Sequence, residues 1–194
     1  IKPDSEFNDL SSRKLRFSTN NPGLDIIRVR SFDVATFVNF GGAHFGVAGQ
    51  DVLMEFDSKE IYSPFGLGIG KCRIVVAEPA DMSRDDNPIR WSHIRVATKY
   101  PEITKRYFAA RGVQAECIKL SGAMEIAPSI GLCSRIVDLV SSGSTLKANG
   151  LVEVEEIAKI TSRLAVNRTS LKTRPSEINY WIKTLREATD GFVA

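Results

Sequence analysis

The chain has 194 residues, of which 43% are hydrophobic and 25% are charged, a composition typical of a folded globular protein. Its formal net charge of +3 is too small a surplus to indicate nucleic-acid binding. No apolar run approaches the ~20 residues of a membrane-spanning helix, and three cysteines without metal or redox spacing favour a reduced, cytoplasmic protein.

Short apolar strands alternate with helical stretches along the chain, and the pattern restarts after a polar segment at 79–88. That segment is rich in Asp, Ser and Pro, which predicts a surface loop and a boundary between lobes. Ahead of it, the predicted elements are strands at 14–17, 25–29, 45–49 and 71–77 and helices starting at 31 and 50. Beyond it, they are strands at 94–98, 115–120, 136–140, 152–160 and 163–167 and helices at 101–111, 123–130 and 176–188. The alternation predicts an α/β fold with mixed, mainly parallel sheets.

The first predicted helix carries signals at both ends. Ser31 is of a residue type that caps helix N-termini, and Gly41 begins a Gly-Gly pair that would end the helix. Between them, Val34, Phe37 and Val38 recur at helical spacing, which predicts that these three side chains form the buried face.

One strand runs into a loop of small hydroxyl residues around a glycine, after which helical sequence resumes. The loop consists of Ser141, Ser142, Gly143, Ser144, Thr145 and Leu146. Glycine lets backbone N–H groups approach an anion closely, a helix N-terminus adds partial positive charge, and hydroxyls add donors. This composition predicts a phosphate site, but it equally suits a serine-rich turn that only caps a helix. Asp138, just ahead of the loop, is placed to accept hydrogen bonds from sugar hydroxyls.

The same segment carries a resemblance to a known family. Residues 138–151, Asp-Leu-Val-Ser-Ser-Gly-Ser-Thr-Leu-Lys-Ala-Asn-Gly-Leu, resemble the phosphoribosyl-diphosphate loop of the ATP phosphoribosyltransferase family. Residues 46–53, Gly-Val-Ala-Gly-Gln-Asp-Val-Leu, are similar to the family segment Gly-Ile-Thr-Gly-Lys-Asp-Val-Leu. Further similar blocks follow in family order at 70–73, 95–101, 106–108, 118–128 and 166–170.

The resemblance implies the reaction. Such an enzyme joins ATP to 5-phosphoribosyl diphosphate in the first step of histidine biosynthesis, forming phosphoribosyl-ATP and pyrophosphate with Mg²⁺ present. Adenine N1 attacks C1 of the ribose, so catalysis should come from positioning and charge neutralisation. We expect Ser141 to Leu146 to hold the 5-phosphate, and Asp138 and Glu125 to contact the ribose hydroxyls or Mg²⁺-linked waters.

The resemblance also implies a facing half of the site. Gly49 and Asp51 are expected to contact ATP or pyrophosphate, and Arg13 matches a family arginine that positions ATP. No residue is assigned as a direct metal ligand, because His44 and His93 are the only histidines and neither lies in a zinc-type motif.

The family fold implies two lobes like those of type II periplasmic binding proteins, joined by crossing strands and separated by the active-site cleft. Lobe one is expected at 1–91 plus 175–194, and lobe two at 92–174. A family strand followed by a Pro-Lys-Gly-Arg segment is expected upstream of Ile1, and Gln50 replaces a basic residue of the family pattern.

The resemblance is closest to the short form of the family. That form implies a homodimer that assembles into a hetero-octamer with a regulatory subunit resembling histidyl-tRNA synthetase. A non-catalytic solute-binding protein of the same bilobal architecture remains the alternative. Neither a membrane nor a nucleic-acid partner is expected.

Overall fold

The computed structural model describes residues 1–9, 11–82 and 93–193. Ten strands form three sheets among these residues, and six α-helices and two short 3-10 helices accompany them. The strands are β1 (Arg16–Ser18), β2 (Asp25–Ile27), β3 (Phe45–Gly49), β4 (Ile61–Tyr62), β5 (Cys72–Pro79), β6 (His93–Thr98), β7 (Gln114–Lys119), β8 (Arg135–Val140), β9 (Leu151–Ile160) and β10 (Ser162–Asn167). The helices are α1 (Ser31–Asn39), α2 (Gln50–Phe56), α3 (Pro101–Ala109), α4 (Ser144–Ala148), α5 (Arg168–Thr173) and α6 (Pro175–Val193), with 3-10 turns at Ser5–Asn8 and Met124–Ile126.

The largest sheet has five strands in the order β7-β6-β8-β5-β9. Strands β7, β6 and β8 run parallel, because each is reached from the previous one through a helical crossover. Strands β5 and β9 add antiparallel pairs to the β8 side. Ile74, Val96, Ile136 and Val137 are fully buried in this sheet, and α3 packs against β7.

A second sheet has three antiparallel strands in the order β3-β10-β4. Helices α1 and α2 pack on β3, and Ala35, Ala48 and Val52 form the core between them. On β10, Leu164 and Val166 pack with Ile178 of α6. The predicted α/β class and mixed sheets are therefore found, although the parallel pairs among the described strands are confined to β7-β6-β8.

The strand pairing departs from the predicted lobe boundaries at two places. Strand β5, which we assigned to lobe one at 1–91, pairs with β8 and β9 in the five-stranded sheet. Strand β10, which we assigned to lobe two at 92–174, pairs with β3 and β4. The polar segment suggested a boundary because the apolar pattern restarts there, but antiparallel partners distant in sequence leave no local signal.

The chain instead crosses between the two sheets between β4 and β5 and again between β9 and β10. The two crossings are hydrogen-bonded to each other: Ser162 N and Thr161 Oγ1 both donate to the Ile69 carbonyl, at 2.9 and 3.0 Å. The Leu67 amide donates to the Ser162 carbonyl at 2.8 Å. These hydrogen bonds hold the two crossing segments side by side, where the family fold is expected to have crossing strands.

The N-terminal residues form a separate two-stranded sheet of β1 and β2. Phe17 is fully buried there beneath Phe7, and the guanidinium of Arg28 covers both rings. Predicted strands thus appear at this end of the chain, shorter than the sequence pattern suggested.

Helix α1 corrects two predictions. Ser31 is the first helical residue rather than the cap, and the capping position is held by Arg30 without a side-chain hydrogen bond. The buried face consists of Ala35 and Val38, whereas Phe37 is 42% exposed. Gly46 of β3 lies so close to Val34 and Val38 that an added Cβ would come within 2.6 and 2.7 Å of their side chains, so this face of the helix packs on β3 and Phe37 does not. Much of the predicted loop at 79–88 lies outside the described residues.

Candidate active site

The loop after β8 has the local geometry of an anion cradle. Gly143 adopts a left-handed conformation with φ 79°, and α4 begins directly after it. A Cβ atom built on Gly143 meets only Val140, at 3.9 Å, so the open side of the loop faces away from the protein. The Ser142 and Ser144 hydroxyls lie 2.9 Å apart, and Ser141, Ser142, Ser144 and Thr145 are exposed. The loop therefore presents hydroxyls and backbone outward, while Leu146 anchors α4 in the core.

Arg73 on the neighbouring strand β5 holds the start of this loop. Its Nη1 donates a hydrogen bond to the Ser141 carbonyl at 3.1 Å. Its Nε and Nη2 donate to the two carboxylate oxygens of Glu153 at 2.8 and 2.6 Å. The two-point contact with Glu153 fixes the guanidinium plane. Sequence inspection missed this arginine, because its partners lie 68 and 80 residues away.

Asp138 lies on β8 with its side chain half-buried. Its Oδ1 accepts a hydrogen bond from the Leu139 amide at 2.8 Å. Burial is the main reason that the pKa of Asp138 is raised to about 6. The hydrogen bond from the Leu139 amide lowers this pKa, the negative charge of Glu125 raises it, and the positive charge of Lys99 lowers it. The charges of Glu125 and Lys99 therefore act in opposite directions on the pKa of this carboxylate.

The carboxyl ends of the three parallel strands meet at one edge of the five-stranded sheet. Lys119 ends β7 opposite Thr98 of β6, and Lys99 follows Thr98 directly. Thr98 is also opposite Val137, so Lys99 lies beside Asp138. Ligands in open α/β sheets bind beyond this edge. The edge carries two cations, a carboxylate and the serine loop.

Helix α2 faces this edge from the other sheet. Asp51 in its first turn is 5% exposed, and its Oδ2 accepts a hydrogen bond from the hydroxyl of Tyr100 at 2.9 Å. Burial, Asp51 and then Asp138 raise the pKa of Tyr100, so this hydroxyl stays protonated and donates. At Gly49, an added Cβ would lie 2.0 Å from Asp51 Oδ1, so only glycine leaves room for the carboxylate.

A cavity of about 270 Å³ lies between α1, α2 and the strand edge. Its walls combine two aromatic rings, an aliphatic residue, a carboxylate and two lysines. They are Phe32, Val52, Glu55, Phe56, Lys99 and Lys119. The Lys99 ammonium lies 4.7 Å from the centre of the Phe32 ring. The cavity thus offers both an apolar wall and positive charge.

The structure unites most, but not all, of the predicted site residues. Asp138 lies on β8, Glu125 lies in the 3-10 turn between β7 and β8, and the loop from Ser141 follows β8 directly, while the Tyr100 bond brings Asp51 and Gly49 close. Arg13 is exposed on the segment ahead of β1, and the contacts of the described residues do not connect it to this group.

Within the described ranges, no group of three or more His, Cys, Asp or Glu side chains could hold a metal ion. Asp138 and Glu125 offer oxygen ligands, the kind that a hard cation such as Mg²⁺ prefers. In the same ranges, no helix is both long and apolar enough to cross a membrane.

Comparison with known proteins gives a consistent result. The family described as HisG: ATP phosphoribosyltransferase matches residues 30–187. A protein of Paramagnetospirillum magneticum named ATP phosphoribosyltransferase is 69% identical over 98% of this chain and 87% of its own length. One of Rhodospirillum rubrum with the same name is 66% identical over 100% of this chain and 86% of its own length.

Solved structures agree on the architecture. The structure of an ATP phosphoribosyl transferase (HisG:HisZ) complex from Thermotoga maritima is similar with a TM-score of 0.81 and 30% identity, covering 93% of this chain and 86% of that chain. The alkanesulfonate-binding protein SsuA from Xanthomonas axonopodis pv. citri reaches a TM-score of 0.53 at 15% identity, covering 84% of this chain and 61% of that chain. The second likeness supports the predicted resemblance to bilobal binding proteins in fold alone.

Proposed function

The chain belongs to the ATP phosphoribosyltransferase family, and from this premise we propose which residues bind each substrate and stabilise the transition state. It is a pentosyltransferase that condenses ATP with 5-phosphoribosyl diphosphate in the first step of histidine biosynthesis. The solute-binding alternative is not favoured, because relatives that are 69% and 66% identical to the chain are named as the enzyme.

We propose that phosphoribosyl diphosphate binds at the carboxyl edge of the five-stranded sheet. The 5-phosphate would bind the loop from Ser141 to Leu146, where the left-handed Gly143 exposes backbone and hydroxyl donors. Asp138 and Glu125 would orient the ribose hydroxyls or waters bound to Mg²⁺. The position of Asp138 near the end of β8, directly ahead of the loop with the left-handed Gly143, is the observation that carries the assignment.

ATP would approach from the facing sheet, along Gly49 and the first turn of α2. The cavity beside Phe32 supports this placement, because its apolar wall suits a purine ring. Asp51, which is buried and bonded to Tyr100, would act by shaping this wall rather than by touching ATP. Arg13 remains a proposed ATP contact.

The chemistry follows from this arrangement. Adenine N1 forms a bond to C1 of the ribose as the bond from C1 to the pyrophosphate oxygen breaks, and pyrophosphate carries away the electron pair. Positive charge grows on the ribose ring, where an ionised Asp138 is favourable, and negative charge on pyrophosphate, where Lys99 and Lys119 are favourable. Mg²⁺, bound to the diphosphate, would help to neutralise the leaving group.

The two lobes would be the three-stranded sheet with α1, α2, α5 and α6, and the five-stranded sheet with α3 and α4. The joined crossings at Ile69 and Ser162 would form the hinge between them. Closure over both substrates would exclude water from the cleft.

The activity is tested by incubating the full-length protein with ATP, Mg²⁺ and phosphoribosyl diphosphate and following phosphoribosyl-ATP. Formation of that product, dependent on Mg²⁺, is expected. Binding of phosphoribosyl diphosphate without any product, with and without added partner subunit, would contradict the assignment.

A regulatory subunit is the proposed partner. The relatives named above are themselves little longer than this chain, and the Thermotoga maritima structure is described as a HisG:HisZ complex. We therefore propose a cytoplasmic short-form enzyme, homodimeric and assembling with a histidyl-tRNA-synthetase-like subunit into a hetero-octamer. Histidine should inhibit only the assembled enzyme, and inhibition of the isolated full-length catalytic chain would exclude this arrangement.

A further inference from the structure

Helix α3 receives its N-terminal cap from another helix. Its own capping residue, Tyr100, makes no side-chain cap, and Pro101 has no N–H to satisfy. The next two amides, of Glu102 and Ile103, donate to the two carboxylate oxygens of Glu55 on α2, each at 3.0 Å. One carboxylate therefore satisfies both amides of the first turn that lack a partner within the helix.

A second contact joins the same C-terminal end of α2 to α3. Arg106 of α3 donates from Nη2 to the Met54 carbonyl and from Nη1 to the Asp57 carboxylate, both at 2.5 Å. Met54 is in the last turn of α2, where carbonyls lack helical partners, and Asp57 is its left-handed cap. The two helices thus cap each other, and we call Glu55 with Arg106 the clasp.

The clasp joins the two sheets next to the active site. Helix α2 packs on β3 of the three-stranded sheet, and α3 packs on β7 of the five-stranded sheet. Asp51 and Glu55 are four residues apart on one face of α2, and both reach the beginning of α3. Arg106 is 48% exposed and Asp57 is 72% exposed, so the half-buried Glu55 carries more of the connection.

We propose that Glu55 is a positioning residue for the transfer reaction, which holds the start of α3 against α2 and so sets the width of the cleft between the ATP side and Asp138. The inference rests on the proposed placement of the two substrates on opposite sheets. Glu55 lines the cavity proposed for ATP but is assigned to neither reacting atom, and hydrogen exchange at the two α3 amides distinguishes its capping role from a direct contact with ATP. It acts through the two α3 amides, and a wrong cleft width would misalign adenine N1 with C1.

Replacing Glu55 with alanine tests this role in the full-length enzyme, in the assembly where the wild type is active. We expect kcat/KM for ATP to fall about tenfold or more, because ATP must be held across the cleft. The dissociation constant for phosphoribosyl diphosphate should change less than about twofold, since its loop lies on one sheet. Glu55→Gln keeps one acceptor oxygen and should recover part of the lost activity.

Glu102→Ala is the matched control, because it removes a carboxylate from the same first turn but one that pairs only locally with Lys105. It should keep the wild-type kinetic constants. Hydrogen exchange at the Glu102 and Ile103 amides reports the clasp directly and should accelerate in Glu55→Ala alone.

Several results would overturn the proposal. One is faster exchange at these amides with unchanged kcat/KM for ATP, which would make the clasp a cap without a positioning role. Another is equal weakening of both substrates together with a lower unfolding temperature, which would indicate general destabilisation. If Gly143 and Asp138 variants left phosphoribosyl diphosphate binding intact, the substrate placement would fail instead, a result separable from the Glu55 kinetics.

Discussion

The hydroxyl of Tyr100 donates a hydrogen bond of 2.9 Å to Oδ2 of Asp51, and this bond joins α2 to the residue that precedes α3, two helices that pack on different sheets. Tyr100 is 2% exposed and Asp51 is 5% exposed, so neither side chain can form a hydrogen bond to water when the bond between them is lost. The Tyr100 amide in turn donates to Thr98 Oγ1, and Thr98 Oγ1 donates to the Val137 carbonyl, one residue before Asp138. The bond therefore links the ATP side of the proposed site to the ribose side.

Tyr100→Phe should lower the free energy of unfolding by about 1–3 kcal/mol, because it leaves a buried carboxylate without its donor. Urea unfolding measures this change. Tyr107→Phe is the matched control on the same helix: it removes a bond to the exposed Glu155 and should cost less than about 1 kcal/mol. Equal losses in the two variants would contradict an important Tyr100–Asp51 bond.

Gly143→Val should weaken phosphoribosyl diphosphate binding at least about tenfold while ATP binding changes little. A left-handed backbone costs a residue with a side chain on the order of 1–2 kcal/mol, and a Cβ would stand on the open side of the loop. Calorimetric titration with each substrate measures the effect. Gly150→Val is the control, since φ there is 70° and no heavy atom lies within 4 Å of a built Cβ. If both variants bind equally weakly, strain rather than the phosphate site explains the loss.

The pKa of Asp138 predicts opposite effects of one substitution on stability and activity. Because the folded pKa is about 6 and the ordinary value is 3.8, the folded chain binds this proton more tightly than the unfolded chain. Stability therefore falls as the pH rises through this window, by roughly 2–3 kcal/mol in total. Asp138→Asn removes the titrating group while keeping an acceptor for the Leu139 amide.

Relative to the wild type, Asp138→Asn should gain about 2 kcal/mol of stability between pH 4 and pH 8, while kcat falls at least about tenfold. Urea unfolding at the two pH values and steady-state kinetics measure these changes. In the wild type, kcat/KM for phosphoribosyl diphosphate should rise with pH through about 6, where Asp138 ionises. A variant whose relative stability is the same at both pH values would contradict the raised pKa.

Arg73→Gln should weaken phosphoribosyl diphosphate binding by about tenfold, because it frees the Ser141 carbonyl and the start of the loop. ATP affinity should not change. Arg95→Gln provides the control, since Arg95 lies in the same sheet and pairs with exposed Glu116 away from the loop. Binding titrations measure the affinity of both variants for phosphoribosyl diphosphate. Equal losses of affinity would indicate an effect of net charge rather than the loss of the Arg73 contact with the loop.

The segments that local pattern determines were predictable. The strand and loop from Ile136 to Leu146 appear as predicted. A continuous apolar run favours a buried strand, and a glycine among serines favours a turn. The family blocks also predicted roles for Asp138, Glu125 and the loop from Ser141 to Leu146, because each block is a short stretch of sequence. Helix α5 and strand β4 were missed, being too short for a periodic signal.

The sequence by itself therefore determined the α/β class, the family and the glycine turn that precedes α4, since each depends on neighbouring residues. Only the tertiary structure decided that β5 and β10 exchange sheets and that Asp51 is buried beneath Tyr100. It also decided that Glu55 caps a helix 47 residues further along the chain. The physical reason is that antiparallel pairing, burial and capping between helices depend on contacts between residues far apart in the chain. A local sequence pattern does not specify those contacts.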